Sequence, residues 1–189
     1  MIYGFFDTET TGLKQEEGHR LIEVALQLRD DAGKVLGSYV TRINPQRGID
    51  PKAQEVHGIS FEDLIGEPLW EDVAPKLSLL LSKCDYVVAH NGEGFDLPFV
   101  VRELIRVGVS VPPIRSIDTM LGGRWATPDG SVPNLGALAW ACDVPYDKSK
   151  AHAALYDVEV MADCFYKARA YFAIPSHFFE LPKGKEATK

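Results

Sequence analysis

Cysteine and long apolar segments are what this 189-residue sequence most clearly lacks. Its three cysteines, Cys84, Cys142 and Cys164, form no C-x-x-C pair, which excludes a disulfide scaffold and a cysteine-rich zinc site. The longest stretch without a charged residue, Gly130–Cys142, has thirteen residues and contains a proline, so we expect no membrane-spanning segment. No basic leader precedes Asp7, which predicts a cytoplasmic protein without a signal peptide.

Basic residues are also fewer than acidic ones, with 20 Lys and Arg against 27 Asp and Glu and a net charge of −7. A negative net charge normally disfavours a nucleic-acid partner. Two bound divalent cations would bring this charge from −7 to −3, so the charge balance leaves a phosphate-containing substrate open. The apolar share of 46% and the charged share of 25% are typical of one ordinary globular domain.

The order of strand-like and helix-like segments predicts a single α/β domain, with a five-stranded mixed sheet and helices on both faces. We expect this domain to span residues 1–175 and the polar residues 176–189 to form a partly disordered tail. Short β-rich runs predict strands at Ile2–Asp7, Leu21–Arg29, Val35–Ile43, Asp85–His90 and Ile114–Asp118. Periodicity and capping residues predict helices at Pro51–His57, around Val73–Leu81, and at Asp96–Val107, Asn134–Ala141 and Leu155–Phe172.

Two carboxylates stand at the end of the first predicted strand. Because side chains alternate along a strand, Asp7 and Glu9 are expected to project to the same side. Carboxylates held this close repel each other, and a divalent cation relieves the repulsion. A solvated turn at Thr8–Gly12 is the alternative, whereas an EF-hand calcium loop is excluded because Gly18 stands where a bidentate Glu is required.

Two further polar clusters lie where predicted helices begin. In the segment His90–Asp96 a strand ends and a carboxylate follows, although N-capping alone would explain Asp96, and Glu93 is expected to face solvent. In the other cluster, residues five apart lie about 140° apart around a helix, so His152 and Asp157 can act together only if His152 precedes the helix. A polar residue at a helix start is the alternative explanation of His152.

The combination of these clusters indicates a metal site. Four carboxylates, from Asp7, Glu9, Asp96 and Asp157, carry a charge that two Mg²⁺ ions would neutralise, and His152 would be available as a base. Carboxylate ligands suit Mg²⁺ or Mn²⁺, whereas zinc prefers cysteine or several histidines. The sequence therefore predicts two-metal phosphoryl-transfer chemistry, with two ions per site.

Over most of its length the chain resembles the DnaQ-like 3′→5′ exonucleases of the DEDDh group, which include the proofreading subunit of bacterial DNA polymerase III. The motifs that carry the resemblance are Asp7-Thr-Glu-Thr-Thr-Gly-Leu13, His90-Asn91 with Phe95-Asp96, and His152-x-Ala-Leu-x-Asp157, with lesser signatures at Val56–Ile59 and Ser116–Thr119. The second motif departs from the family pattern by one extra residue between Asn91 and Phe95. The resemblance implies an RNase H-like fold.

The resemblance also implies a role for each matching residue. Four carboxylates would bind two Mg²⁺ or Mn²⁺ ions, and His152 would take the proton from the attacking water. The residues that would contact the terminal nucleotide are Thr8, Thr10, Thr11, Gly12, Leu13, His57, Asn91 and Phe95. Lys148 and Lys150 are candidate phosphate contacts.

The implied activity removes 5′-mononucleotides from the 3′ end of single-stranded or frayed DNA. The implied partners are a nucleic-acid 3′ end and a DNA polymerase or another replication or repair protein. Because the chain ends soon after its last predicted helix, we expect a free-standing or differently tethered enzyme rather than a polymerase subunit. The alternatives are an exoribonuclease acting on short or structured RNA and a non-catalytic nucleic-acid or polymerase-binding module.

Overall fold

The computed structural model describes residues 1–181, which form a five-stranded mixed sheet with helices on both faces. The strands are β1 (Ile2–Thr10), β2 (Leu21–Asp30), β3 (Val35–Arg42), β4 (Tyr86–Ala89) and β5 (Ser116–Asp118). The α-helices are α1 (Pro51–His57), α2 (Trp70–Leu81), α3 (Asp96–Arg106), α4 (Leu135–Ala141) and α5 (Ala154–Ala168). Single turns of 3-10 helix occur at Gln15–Glu17, Glu62–Leu64, Arg124–Ala126 and Arg169–Tyr171. Every predicted strand and helix is confirmed, with differences at the ends.

The strands lie in the order β3-β2-β1-β4-β5. β1 is antiparallel to β2, and β2 to β3, so the first three strands form an antiparallel meander. β1 is parallel to β4, and β4 to β5, so the carboxyl ends of these three strands lie at one edge of the sheet. In open α/β sheets, ligands bind at such an edge.

β1 is longer than its sequence pattern predicts. The expected turn at Thr8–Gly12 is wrong in its first residues, because β1 continues to Thr10 and pairs with β2 as far as Leu21. The backbone pairing of β1 with β2 continues through this polar segment, because Thr8 and Thr10 are each only 5% exposed and β2 supplies their backbone partners. A register irregularity between Glu9 and Thr10 then ends the strand.

The side chains of β1 alternate between two apolar cores. Phe5 packs with α4 and α5 on one face of the sheet, and Phe6 packs with α2 and α3 on the other. Since the alternation continues along the strand, Asp7 and Glu9 lie on the α5 side and Thr8 lies on the α3 side. The end of β1 therefore presents acidic side chains towards α5 and a hydroxyl towards α3.

Capping residues place two helices as predicted. Asp50 caps α1 and Asn134 caps α4, and each side chain accepts a backbone N–H from the first turn. α2 begins at Trp70, five residues before Pro75, which removes one backbone hydrogen bond from the helix interior. The helix continues because its apolar face, including Leu77, is fully buried against the core.

The C-terminal residues that the structure describes pack back onto the sheet. α5 ends at Ala168 rather than at the predicted Phe172, and one 3-10 turn follows. Ile114, predicted to start β5, instead accepts the backbone N–H of Phe179 at 2.6 Å through its carbonyl oxygen. Phe179 and Leu181 pack against the α2–α3 core, so ordered contacts extend beyond residue 175. The predicted disorder of residues 182–189 lies outside the described residues.

Between residues 1 and 181, no helix combines the length and the apolar character that crossing a bilayer requires.

Candidate active site

Asp7 and Glu9 stand at the carboxyl end of β1, on the face covered by α5. Glu9 is 9% exposed and lies opposite Glu23 of β2, so a third carboxylate is close by. Backbone pairing with β2 holds this strand end through Glu9, whereas pairing with β4 stops at Phe5. The two predicted metal ligands of the first motif therefore share a side of the sheet.

Asp96 is held from the opposite face by β1 itself. It is the first residue of α3, is 3% exposed, and its Oδ1 accepts the Thr8 hydroxyl at 2.6 Å. The residue at the N-cap position is Phe95, so capping is not the explanation of this carboxylate. The buried bond between residues 88 positions apart ties α3 to the end of β1 and directs Asp96 towards the acidic cluster.

His152 and Asp157 have the relative placement that joint action requires. Asp157 lies in the first turn of α5, and His152 lies in the preceding loop with a left-handed backbone at φ 65°. The backbone N–H of His152 donates to Oδ2 of Asp157 at 2.9 Å, which closes the loop against the helix. Oδ1 of Asp157 is buried and has no hydrogen-bond partner among residues 1–181.

Burial raises the pKa values of all four carboxylates, and repulsion from the other carboxylates adds to this at Asp7 and Glu9. Burial raises the pKa of Asp7 well above its usual range, and the charges acting on it are all carboxylates, with Asp96 and Glu9 the strongest. Burial, with the charge of Glu23 next, raises the pKa of Glu9 to about 8. Burial raises the pKa of Asp96 to about 7, although the bond from Thr8 opposes this. Concentrated negative charge of this kind is stabilised by a cation.

The donor set fits a hard divalent cation. Between residues 1 and 181, no three His, Cys, Asp or Glu side chains already converge closely enough to enclose an ion. Four mutually repelling carboxylates are expected to draw together only around positive charge. The unpartnered Oδ1 of Asp157 and the all-oxygen character of the four ligands suit Mg²⁺ or Mn²⁺ rather than zinc.

A cleft of ≈ 480 Å³ opens above the acidic cluster. Asp7, Glu9, His152 and Asp157 line it, while Asp96 lies behind Thr8. Six of the eight predicted nucleotide contacts also line this cleft, namely Thr8, Thr10, Gly12, Leu13, His57 and Phe95. The structure thus brings together residues from all three motifs and from α1.

Thr11 does not line the cleft, and the prediction that it contacts the nucleotide is not supported by its position. Its side chain is fully buried, its hydroxyl lies 3.0 Å from Nδ1 of His19, and its Oγ1 also accepts the Arg20 backbone N–H. The His19 ring also explains why residue 12 is a glycine, because a Cβ added at Gly12 would stand 2.3 Å from the imidazole. Thr11 therefore shapes the loop that carries Gly12 and Leu13 rather than facing a substrate.

Asn91 does not line the cleft either. Its backbone is left-handed at φ 65°, and its carbonyl oxygen accepts the N–H groups of Gly94 and Phe95. This turn accommodates the extra residue of the second motif and brings Phe95 to the cleft wall. Glu93, predicted to face solvent, instead is half-buried and accepts a hydrogen bond from the Ser116 hydroxyl.

Asp118, which the sequence indicates only as part of a lesser signature, is a structurally important residue. Its carboxylate accepts four backbone N–H groups, those of Asn91, Glu93, Met120 and Leu121. It therefore holds the turn before Asp96 in place.

His90 is a hydrogen-bonded strand-end residue, with one ring nitrogen 3.0 Å from Thr119 Oγ1 and the other 3.1 Å from the Pro133 carbonyl oxygen.

Comparison with known proteins agrees with this geometry. The RNase_T model, described as an exonuclease family, matches residues 5–165. The chain belongs to the RNase_T exonuclease family. Within it, the chain is 33% identical over 166 residues to the DNA polymerase III subunit epsilon of Rickettsia conorii, covering 84% of this chain and 70% of that protein. The predicted DnaQ-like relationship and the predicted enzyme class, a 3′→5′ exonuclease, are confirmed.

Solved exonuclease structures share the fold of this RNase_T-family chain. Exonuclease X in complex with 5′ overhanging duplex DNA matches with a TM-score of 0.66 and 26% identity, covering 89% of this chain and 92% of that one. Escherichia coli exonuclease I in complex with a dA16 oligonucleotide matches with a TM-score of 0.75 and 20% identity, covering 90% of this chain and 41% of that longer one. The predicted RNase H-like fold is confirmed.

Proposed function

We propose that this chain hydrolyses the terminal phosphodiester of single-stranded or frayed DNA from the 3′ end and releases 5′-mononucleotides. The observation that carries the proposal is the acidic cluster, in which the half-buried Asp7 and Asp157 and the buried Glu9 line a cleft that His152 also lines. A structurally similar protein, exonuclease X, was solved in complex with 5′ overhanging duplex DNA, which supports DNA as the substrate.

Asp7, Glu9, Asp96 and Asp157 would hold two Mg²⁺ or Mn²⁺ ions. When bound there, such ions stabilise negative charge on a phosphate and its leaving oxygen and lower the pKa of water. The carboxylates themselves supply the charge and the hard oxygen ligands, and Thr8 keeps Asp96 directed towards the cluster. Replacement of one ligand should therefore abolish cleavage.

His152 is proposed as the general base. Its loop is fastened to Asp157 by the backbone bond, which leaves the imidazole at the cleft wall beside the acidic cluster. The imidazole accepts the proton of water as the water oxygen bonds to phosphorus. The bond from phosphorus to the 3′ oxygen of the penultimate nucleotide breaks, and that oxygen takes a proton from solvent.

The terminal nucleotide is proposed to occupy the 480 Å³ cleft. Leu13 lines this cleft and is 78% exposed, so its side chain is accessible to a base. Phe95 and His57 line the same space, and burial lowers the pKa of His57, so the imidazole is neutral at physiological pH. A base between Leu13 and this wall would leave its 5′ phosphate near Asp7.

The proposal is tested with 5′-labelled single-stranded DNA and RNA of one sequence, each incubated with Mg²⁺ or with EDTA and resolved to single nucleotides. We expect a ladder that shortens from the 3′ end of DNA in Mg²⁺ and no products in EDTA. Faster cleavage of RNA would instead support the exoribonuclease alternative. Absence of cleavage of both polymers in Mg²⁺ and Mn²⁺ would support a non-catalytic binding module.

A further inference from the structure

A second cleft adjoins the candidate active site and is not needed by the terminal nucleotide. It measures ≈ 780 Å³ and shares Asp7, His152 and Asp157 with the first cleft. Its outer wall is formed by the first turn of α4 and by the loop before α5, through Gly136, Ala137, Tyr146 and Lys148. The acidic cluster therefore lies where two clefts meet. A nucleic-acid strand cleaved at the cluster would have one cleft on each side of the scissile phosphate.

Trp140 lies on α4, one turn beyond the residues of this helix that line the second cleft. It is 84% exposed, a high value for so large an apolar side chain. Residues three and four apart share a helix face, so Trp140 is a neighbour of Ala137 and Gly136, whereas Leu138 and Ala139 are buried on the opposite face. Helical side chains lean towards the helix N-terminus, which directs the indole over the turn that lines the cleft.

An aromatic ring packs against α4 at the wall of the second cleft. Gly136 has no side chain, and a Cβ added there would stand 2.9 Å from the ring of Tyr146, so the ring lies directly against α4. Tyr146 also contacts Tyr156 of α5, with ring centroids 6.1 Å apart, which holds it between the two helices. Lys148 is exposed at the same cleft and adds one positive charge.

We propose that the second cleft holds the single-stranded nucleic acid upstream of the scissile phosphate, and that Trp140 stacks on one of its bases. This rests on the proposed exonuclease function, since it is the continuity with Asp7, His152 and Asp157 that defines the direction of the strand. A chain of net charge −7 has little electrostatic attraction for a polyanion away from its bound cations. Stacking on an exposed aromatic side chain supplies sequence-tolerant affinity that does not depend on net charge.

Trp140→Ala tests the proposal with two substrates in Mg²⁺. Octathymidylate (dT8) fills both clefts, whereas the p-nitrophenyl ester of thymidine 5′-monophosphate has no upstream nucleotide and requires only the first. We expect Trp140→Ala to lower kcat/KM for dT8 at least about fivefold, mainly through KM, and to leave the ester unchanged. Trp140→Phe should restore most of the dT8 rate, because phenylalanine still presents a ring.

A matched control and a folding check accompany these variants. Leu79→Ala removes another exposed apolar side chain, 59% exposed on α2 at the opposite face of the sheet, and should change neither substrate. Thermal unfolding of Trp140→Ala should match that of the parent protein, because so exposed a side chain contributes little packing.

Fluorescence gives a readout that does not depend on turnover. Trp70 is 3% exposed and Trp125 is stacked on Tyr171, so Trp140 is the tryptophan most accessible to a base. Titration with a cleavage-resistant phosphorothioate dT8 should quench tryptophan emission in the parent protein, and the quench should be lost in Trp140→Phe.

The outcomes separate this inference from the function on which it rests. If the parent protein hydrolyses neither substrate, the exonuclease proposal fails. If it hydrolyses both, and Trp140→Ala loses activity equally on both or on neither, the stacking role of Trp140 is contradicted. An unchanged dT8 rate together with unquenched emission would overturn the proposal.

Discussion

At the scale of single residues, the acidic cluster is a place where the folded chain holds like charges together. The charges acting on Asp7 come from Asp96, Glu9, Asp157 and Glu23, and each of them raises its pKa. Such a site destabilises the protein without metal and becomes favourable once cations bind.

Asp7→Asn should abolish cleavage and raise the melting temperature measured in EDTA by at least about 2 °C, because one of the repelling charges is removed. Differential scanning calorimetry with and without metal checks the second part. Glu159→Gln, a charge removal at an exposed position of α5, is the control and should change neither property. Normal cleavage by Asp7→Asn would show that the metal ligands are assigned wrongly.

His152→Ala should lower kcat by about 10²–10⁴, the usual contribution of a general base. The bond to Asp157 uses the backbone N–H of His152, so the variant should keep the loop conformation and the melting temperature. Single-turnover kinetics on labelled DNA measure the effect, with His177→Ala as an exposed histidine control. A loss smaller than fivefold would mean that another group accepts the proton.

At the scale of secondary-structure elements, local sequence patterns predict every strand and helix, although several elements begin or end at other residues than predicted. Asp50 with Pro51, and Asn134, mark helix starts through backbone hydrogen bonds that a sequence reveals directly. The extension of β1 through Thr8–Thr10 was missed because it depends on pairing with β2, a contact between segments distant in sequence. Asp96 was ambiguous for the same reason, since its partner Thr8 lies 88 residues away.

The β1–β2 connection provides the element-scale prediction. Gly12→Ala should lower the free energy of unfolding by about 1–3 kcal/mol, because its Cβ would overlap the buried His19 ring at 2.3 Å. Gly48→Ala is the matched control: a Cβ there meets nothing within 4 Å, so its effect should stay within about 0.5 kcal/mol. Urea unfolding of both variants checks this, and equal stabilities would mean that His19 moves aside freely.

At the scale of the whole molecule, the three motifs predict the four carboxylates and His152 as site residues, because the order of the motifs along the chain is visible in the sequence. Their convergence results from parallel pairing of β1 with β4 and from packing of α5 on the sheet, which no local pattern specifies. No local pattern specifies the burial of Thr11 or the left-handed turn at Asn91 either. Both residues are predicted nucleotide contacts, but in the structure they support the loops beside the cleft and do not line it. The metal ligation and the catalytic roles stay predictions.

Global stability in EDTA should fall as the pH rises from 6.5 to 8.5. The pKa of Glu9 is raised to about 8 and that of Asp96 to about 7, above their unfolded values near 4. Stability contributed by groups with a raised folded pKa is present at low pH and is lost as pH rises through that value. Urea unfolding at the two pH values measures the loss, which Glu9→Gln should reduce; equal or greater stability at pH 8.5 would contradict it.

The central claim is that Asp7, Glu9, Asp96 and Asp157 close around a pair of divalent cations. Anomalous X-ray diffraction from crystals soaked in Mn²⁺ tests it most directly. The account predicts two anomalous peaks among these four carboxylates, with Asp157 Oδ1 contacting one of them. Carboxylates that point apart with no peak between them would contradict it.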